Sequence, residues 1–320
     1  MSRQVKNALR RMEAQRFPDH RPPGTDLPIG TRWYSDAYDE MESPSPRVPW
    51  LLKRRAILAV GLAALVGAGV LLVPSLNSES AYAATPPMLT YESTMKYRTA
   101  QEAFLDLALR AQIQPPATGS GPYHYLQKRG WYLNVAADTE NRVLHSGIEI
   151  MEREQWIAND GSGRLKVTTG TKINRDEQFS AGGLPGDFIA GETTPESLRK
   201  TFERSTSFDT LRAVTDLWLK QVVPPTLQSG LLNMLATQPD LKFMGNATDR
   251  IGRRGVAIGA EKRDRVAERL ILVFDANTGA LLDSENIALE RGGLPIEVPA
   301  TVNYTVWIGS GYTTTTAQRP

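Results

Sequence analysis

The stretch Tyr123–Val135, YHYLQKRGWYLNV, decides how the folded part of this chain is built. Tyr123, Tyr125, Trp131, Leu133 and Val135 alternate with polar neighbours, the period of a half-buried strand rather than of a helix. The same period continues through Val143, Ile148, Ile150 and Trp156. Asn159-Asp160-Gly161-Ser162-Gly163 is hairpin-turn chemistry, and Arg164–Thr169 reads as the returning strand. Three antiparallel strands in a meander are therefore expected here, followed by a polar, Gly-rich connection over Lys172–Gly191.

On either side the period changes to that of helices. Phe104, Leu105, Ala108 and Leu109 share one face of a helix expected over Thr99–Gln112, which Pro115-Pro116 stops. Thr194-Pro195-Glu196 places a cap, a first-turn proline and a carboxylate at a second helix start. Ser207 caps the next helix, with Leu211, Val214, Leu217, Trp218 and Val222 on one side. After Pro224-Pro225, Leu227, Leu231, Met234 and Leu235 mark another. Strand patterns return at Leu241–Ala247, Gly255–Ala260, Leu270–Phe274, Ala280–Leu289 and Thr301–Ile308, with Asp275–Gly279 as a turn. Residues from Gly309 onward read as a frayed tail. Sequential strands with segregated helices imply an α+β design: a curved antiparallel sheet covering a few helices, on a single N-terminal transmembrane helix.

That last element is Ala56–Val73, AILAVGLAALVGAGVLLV, eighteen residues without a polar side chain. A helix of that length covers about 27 Å, close to the hydrocarbon thickness of a bilayer. Lys53, Arg54 and Arg55 precede it, so residues 1–55 are expected inside and 75–320 outside. Ala81-Tyr82-Ala83 resembles a signal-peptidase site, but the preceding basic region is far too long for a cleaved leader. Ala59, Ala63 and Gly67 recur every four positions and would let two such helices pack closely. The expected order is an arm over 1–50, the transmembrane helix over 51–74, a tether over 75–92, the extracytoplasmic domain over 93–309 and a tail over 310–320.

Residues 1–55 hold eleven Lys/Arg against seven Asp/Glu, and the remainder twenty-six against twenty-eight. The basic balance thus belongs to the arm, where anionic lipid headgroups account for it, and no nucleic-acid partner is implied. Val5, Ala8, Leu9 and Met12 have helical spacing, as a membrane-surface helix or as a docking helix for a cytosolic partner. From Asp19 to Pro49 the composition is too polar to fold alone. The chain has no cysteine, which excludes disulfides, thiolate metal sites, cysteine nucleophiles and lipoprotein lipidation.

Catalytic motifs are not found. The three histidines, His20, His124 and His145, have no metal-ligand spacing, and no G-x-S-x-G, H-E-x-x-H, Walker or dinucleotide pattern occurs. Neither an enzyme nor a cofactor is expected. Glu149, Glu152 and Glu154 read as a solvated strand face, and Arg250, Arg253 and Arg254 as a solvated bend around Gly252 and Gly255. Trp131, Trp156, Phe202, Phe208, Trp218 and Trp307 have two readings, core filling or the lining of an apolar cavity between sheet and helices. The sequence does not fix an oligomeric state.

Arg153-Glu154-Gln155-Trp156-Ile157, Pro224-Pro225-Thr226-Leu227 with Leu235-Ala236, and Arg254-Gly255-Val256-Ala257 with Val273-Phe274-Asp275 and Thr278-Gly279 resemble a locus-named family of actinobacterial single-pass membrane proteins. The similarity covers roughly residues 140–290. It implies a membrane regulator working with an alternative sigma factor, and it carries no catalytic residue. The helix–sheet order is also similar to lipoprotein-carrier half-barrels, which implies a lipid or other apolar ligand outside. The arm departs from an anti-sigma domain in lacking a His/Cys zinc signature and in being too short for a helical bundle, which argues against direct sigma-factor inhibition.

Overall fold

The computed structural model describes residues 84–320 except 94–95, 138–142, 185–193, 195, 198–199, 201–204 and 265. Among the described residues no helix is long and apolar enough to cross a membrane. Ala56–Val73, with Ala59, Ala63 and Gly67, lies outside them, as do the arm and Phe202.

Among the described residues ten strands form one antiparallel sheet. They are β1 (Tyr91–Glu92), β2 (Tyr123–Ala137), β3 (Val143–Ile157), β4 (Gly163–Thr169), β5 (Lys172–Phe179), β6 (Lys242–Thr248), β7 (Arg254–Lys262), β8 (Glu268–Asp275), β9 (Leu281–Ala288) and β10 (Ala300–Thr313). Their spatial order is β1-β6-β7-β8-β9-β10-β2-β3-β4-β5. Two meanders, β2–β5 and β6–β10, are thus joined side by side through β10 and β2, with Tyr304 opposite Trp131.

Among the described residues, α1 (Ala100–Gln112), α2 (Ser207–Lys220) and α3 (Pro225–Leu235) pack on one face. Thr99 caps α1 by accepting from the Glu102 amide at 3.1 Å. Thr206 rather than Ser207 caps α2, accepting from the Asp209 amide at 3.1 Å. Pro225 opens α3, where its missing N–H costs nothing. Phe104, Leu107, Phe208, Leu211, Leu231 and Leu235 meet Val256, Ile258, Leu270, Leu272 and Phe274 in the main core. A smaller apolar layer of Leu89, Ala247, Ala257, Ile271, Val273 and Ile287 covers the opposite, outer face of the same strands.

Three expectations are corrected. The first part of the polar connection from Lys172 is strand β5, paired to β4 along its length. The frayed tail is not found, since β10 runs to Thr313 and Thr316 is buried. Part of the expected tether belongs to the domain: Leu89 is buried, and Tyr91 and Glu92 pair with Ala247 and Asn246.

Candidate functional site

The five described members of the aromatic set do not line one space. Trp218 and Phe208 lie on α2 and Trp307 on β10, all inside the core between helices and sheet. Trp307 donates its indole N–H to the Trp218 carbonyl at 2.8 Å. Trp131 stacks on Tyr304, ring centroids 6.5 Å apart. Trp156 packs against Tyr125, 5.1 Å between centroids, and donates to the Gln318 carbonyl at 2.6 Å. Strand register puts Trp131 and Trp156 on the outer face and Trp307 on the helix face, so the sheet itself divides the set. Phe202 lies outside the described residues.

The helix face instead carries a polar seat for the end of α2. The last carbonyls of a helix have no intrahelical donor. Here the sheet supplies donors to two of them. Trp307 serves Trp218, while Lys128 Nζ and Gln155 Nε2 reach the Leu219 carbonyl at 3.0 and 2.7 Å. His124 Nδ1 accepts from the Val222 amide at 3.1 Å, which gives this histidine a structural role. Lys128 is buried, and burial together with the nearby Arg153 charge holds its ammonium pKa well below the ordinary lysine value. The alternation of β2 was legible, but its polar side was expected in water. Both faces are in fact covered, the helix side by α2 and the outer side partly by the C-terminal residues.

Those residues are pinned by charge. Arg319 makes a two-point pair with Glu154, Nε to Oε1 at 2.6 Å and Nη2 to Oε2 at 2.9 Å. The Tyr125 hydroxyl donates to the same carboxylate at 2.8 Å. Hydrogen bonds from Arg319 hold the Glu154 pKa below the usual glutamate range in spite of burial. Glu154 is thus not part of a solvated face, although it shares its side of β3 with Glu152, which accepts from Gln127 at 2.6 Å.

The densest charged cluster lies on the outer face beneath the segment that enters the domain from the N-terminal side. Arg250, in the β6–β7 turn, donates through Nε and Nη2 to both oxygens of Glu285, at 2.6 and 2.8 Å. Its third nitrogen, Nη1, donates to the Pro87 carbonyl at 2.8 Å. The guanidinium also lies 5.0 Å from the centroid of the Tyr304 ring. Next to it Asp249 accepts from the Ile251 and Arg253 amides at 3.0 and 2.8 Å and from Arg253 Nε at 2.6 Å. Arg253 then donates to the Leu282 carbonyl at 3.0 Å. Arg250 and Arg253 of the bend read as solvated therefore form a charged clamp, because the Arg250 carboxylate partner comes from a strand 35 residues away, while Arg254 is exposed as expected.

Asp283 completes the cluster. It is fully buried, and among the described residues no side chain donates to its carboxylate, which has only the neighbouring Ser284 amide to ease it. Burial, the neighbouring Glu285 charge and Asp249 push its pKa well above the ordinary aspartate value, with Arg250 opposing them. Burial likewise raises Glu285, against the pull of Arg250. Tyr91 of β1 is pushed up to about 12 by burial and by Glu285. An uncharged Asp283 beside an ion-paired Glu285 is the arrangement least costly in a dry site. No group of three or more His, Asp or Glu able to hold a metal ion occurs among the described residues.

No family model matches the sequence, and no curated protein matches it. Three similar solved structures are the Pseudomonas aeruginosa MucA/MucB complex, MucB in complex with MucA(peri), and MucB. Identities are 13%, 13% and 15%, with TM-scores of 0.26, 0.25 and 0.26. The alignments cover 66%, 66% and 69% of this chain and 56%, 55% and 60% of those chains. The chain thus spans less than two thirds of each structure it resembles, and likeness at this level carries no activity across.

Proposed function

We propose that this chain is a non-enzymatic, single-pass envelope protein with a sensing or regulatory role. Ala56–Val73 would anchor it, residues 1–50 would meet a cytosolic partner such as a sigma factor, and the α+β domain would lie outside. The observation that carries this reading is the Arg250 clamp, which ties the segment leading back toward residues 56–73 to the buried Glu285. A passive tether needs no such attachment. With it, a change in the sheet around β9 is passed mechanically to the chain entering from the membrane side.

The test is affinity capture of the full chain from detergent-solubilised host membranes, beside a version lacking residues 1–50. A specific cytosolic protein retained only by the full chain is expected. Retention of nothing beyond anionic lipid would remove the signalling half of the reading.

A further inference from the structure

Exposed large apolar side chains gather at the end of the domain where the chain enters. Alternate strands of an antiparallel sheet run the same way, so the turns after β6 and β8 share one end, set level by Gly255 opposite Asp275. α1 finishes at that end too, since Gln114, just past it, donates to the Asn277 carbonyl in the β8–β9 turn at 3.4 Å. Arg250 holds Pro87 there. On this end stand Ile113, 80% exposed, Leu109, 65%, Met88, 44%, and Ile251, 41%.

Single exposed apolar residues are ordinary, but here four come together from three separate segments. Ile251 sits in the β6–β7 turn between Arg250 and Gly252, and Ile113 caps α1. Water-facing folds place polar residues or glycine at such positions. The core does not call for these side chains, because Phe104 and Leu107 supply the α1 contribution to it.

We infer that this end of the domain rests in the surface of the lipid bilayer, with Met88, Leu109, Ile113 and Ile251 at the boundary of headgroups and acyl chains. The inference rests on the proposed anchor at Ala56–Val73, and chain length selects the occupant. Residues 74–86 separate Val73 from Pro87 and span at most about 45 Å. β3 alone, with fifteen residues, is about 50 Å long. The apolar side chains at the opposite end, Leu144 above all, would meet the membrane only with that link stretched along the whole molecule. The entry end needs no such extension. Area points the same way. The four exposed fractions amount to little more than two whole side chains, against the ~800 Å² per partner that a stable protein interface buries. They also belong to different layers, Leu109 and Ile113 to the helices, Ile251 to a turn of the sheet and Met88 to the entering segment. A bilayer accepts protruding aliphatic side chains without a matching recess. Arg254, mostly exposed although bonded to Glu92, stands beside the turn to meet lipid phosphates.

Because the chain has no cysteine, single thiols carry a fluorescent label to chosen positions. The full chain with Ile113→Cys, Ile251→Cys, Leu144→Cys or Ala63→Cys, each labelled with bimane, is reconstituted in phosphatidylcholine–phosphatidylglycerol vesicles with and without nitroxide on the acyl chains. The three domain positions are exposed, and near-ultraviolet dichroism matching wild type checks that the variants fold. Labels at positions 113 and 251 should lose most of their emission to the nitroxide, as should the label at 63, while that at 144 keeps its emission. Loss at 63 with emission kept at 113 or 251 would overturn the inference and leave the anchor standing. Emission kept at 63 would remove the anchor, and the inference with it. Equal loss at 144 would mean that the domain does not stand on this end. Labels at 113 and 251 shielded from aqueous iodide yet untouched by the nitroxide would mark a protein partner instead, and would overturn the inference as well.

Discussion

Arg250 and Glu285 meet through two parallel hydrogen bonds, at 2.6 and 2.8 Å, with the glutamate wholly buried and the arginine largely so. Two-point pairing of this kind fixes direction as well as charge. It holds a turn, a central strand and the entering segment in one place.

Replacing Arg250 with Ala leaves Glu285 buried without its cation, next to Asp283. Removing one partner of a buried pair costs about 3–5 kcal/mol. Urea denaturation should register a loss of that order. Hydrogen exchange should show the amides of residues 88–92 losing protection before the rest of the sheet.

Asp283 predicts a specific pH dependence. Its folded pKa is raised, so between the ordinary carboxylate value and that raised value the folded state binds more protons than the unfolded. Its contribution to stability is therefore fully present below the ordinary value and is lost as pH rises through the folded one. Asp283→Asn keeps the shape and removes the titration. Thermal melts should find the variant close to wild type at low pH and increasingly more stable than wild type as pH rises.

Lys128 runs the other way. Its folded pKa is depressed, so below the ordinary lysine value the unfolded state binds the proton more readily and folding is penalised. Lys128→Met fills the same volume, and the Leu219 carbonyl keeps its bond from Gln155. The variant should melt higher than wild type at neutral pH, with the difference shrinking as pH rises toward the ordinary lysine value.

Arg319→Ala should loosen the C-terminal residues by leaving Glu154 with the Tyr125 hydroxyl and a longer contact to Lys166. Since Arg319 is mostly exposed, a cost of about 1–2 kcal/mol is expected rather than that of a fully buried pair. The folded pKa of Glu154 is lowered, so this stability is present above the ordinary glutamate range and is lost as pH falls through the folded value. Wild type and variant should converge in acid.

Gly279 closes the β8–β9 turn at φ +70°, where an added Cβ would come within 2.7 Å of the Leu107 carbonyl. Left-handed strain alone costs about 1–3 kcal/mol, and here the α1 backbone would have to move as well. Gly279→Ala should lower the urea midpoint and reduce near-ultraviolet dichroism from the aromatic core.

Local signals account for what was legible beforehand. Helix α1 was readable from its period and the prolines after it, although Leu105 and Leu109 of the expected apolar face are exposed and Leu107 is buried instead; the strands of both meanders other than β5 were readable from alternation and turn residues. β5 was missed because its alternation is one of charges, with Ile173 and Phe179 its only large apolar side chains. β1 is two residues long and is defined by its neighbour alone. The charged sites were hidden for a different reason. Arg250 and Glu285, Lys128 and the Leu219 carbonyl, and Arg319 and Glu154 are each far apart in the chain, so a local reading assigns every one of these charged side chains to water. The aromatic set kept two readings for a similar reason, since composition does not say which side of a sheet a tryptophan will face; its five described members fill the core.

The position of β10 bears on how the molecule is made. It is the last strand along the chain yet lies near the middle of the sheet, and it is bonded to β2, which it contacts across 173 residues through Thr305 and Tyr132. A chain that emerges from its N-terminal end completes β2–β5 early and must then keep the β2 flank unsealed until residues 300–313 arrive. Sealing of the sheet is therefore a late step, set by the arrival of the last strand rather than by any local contact.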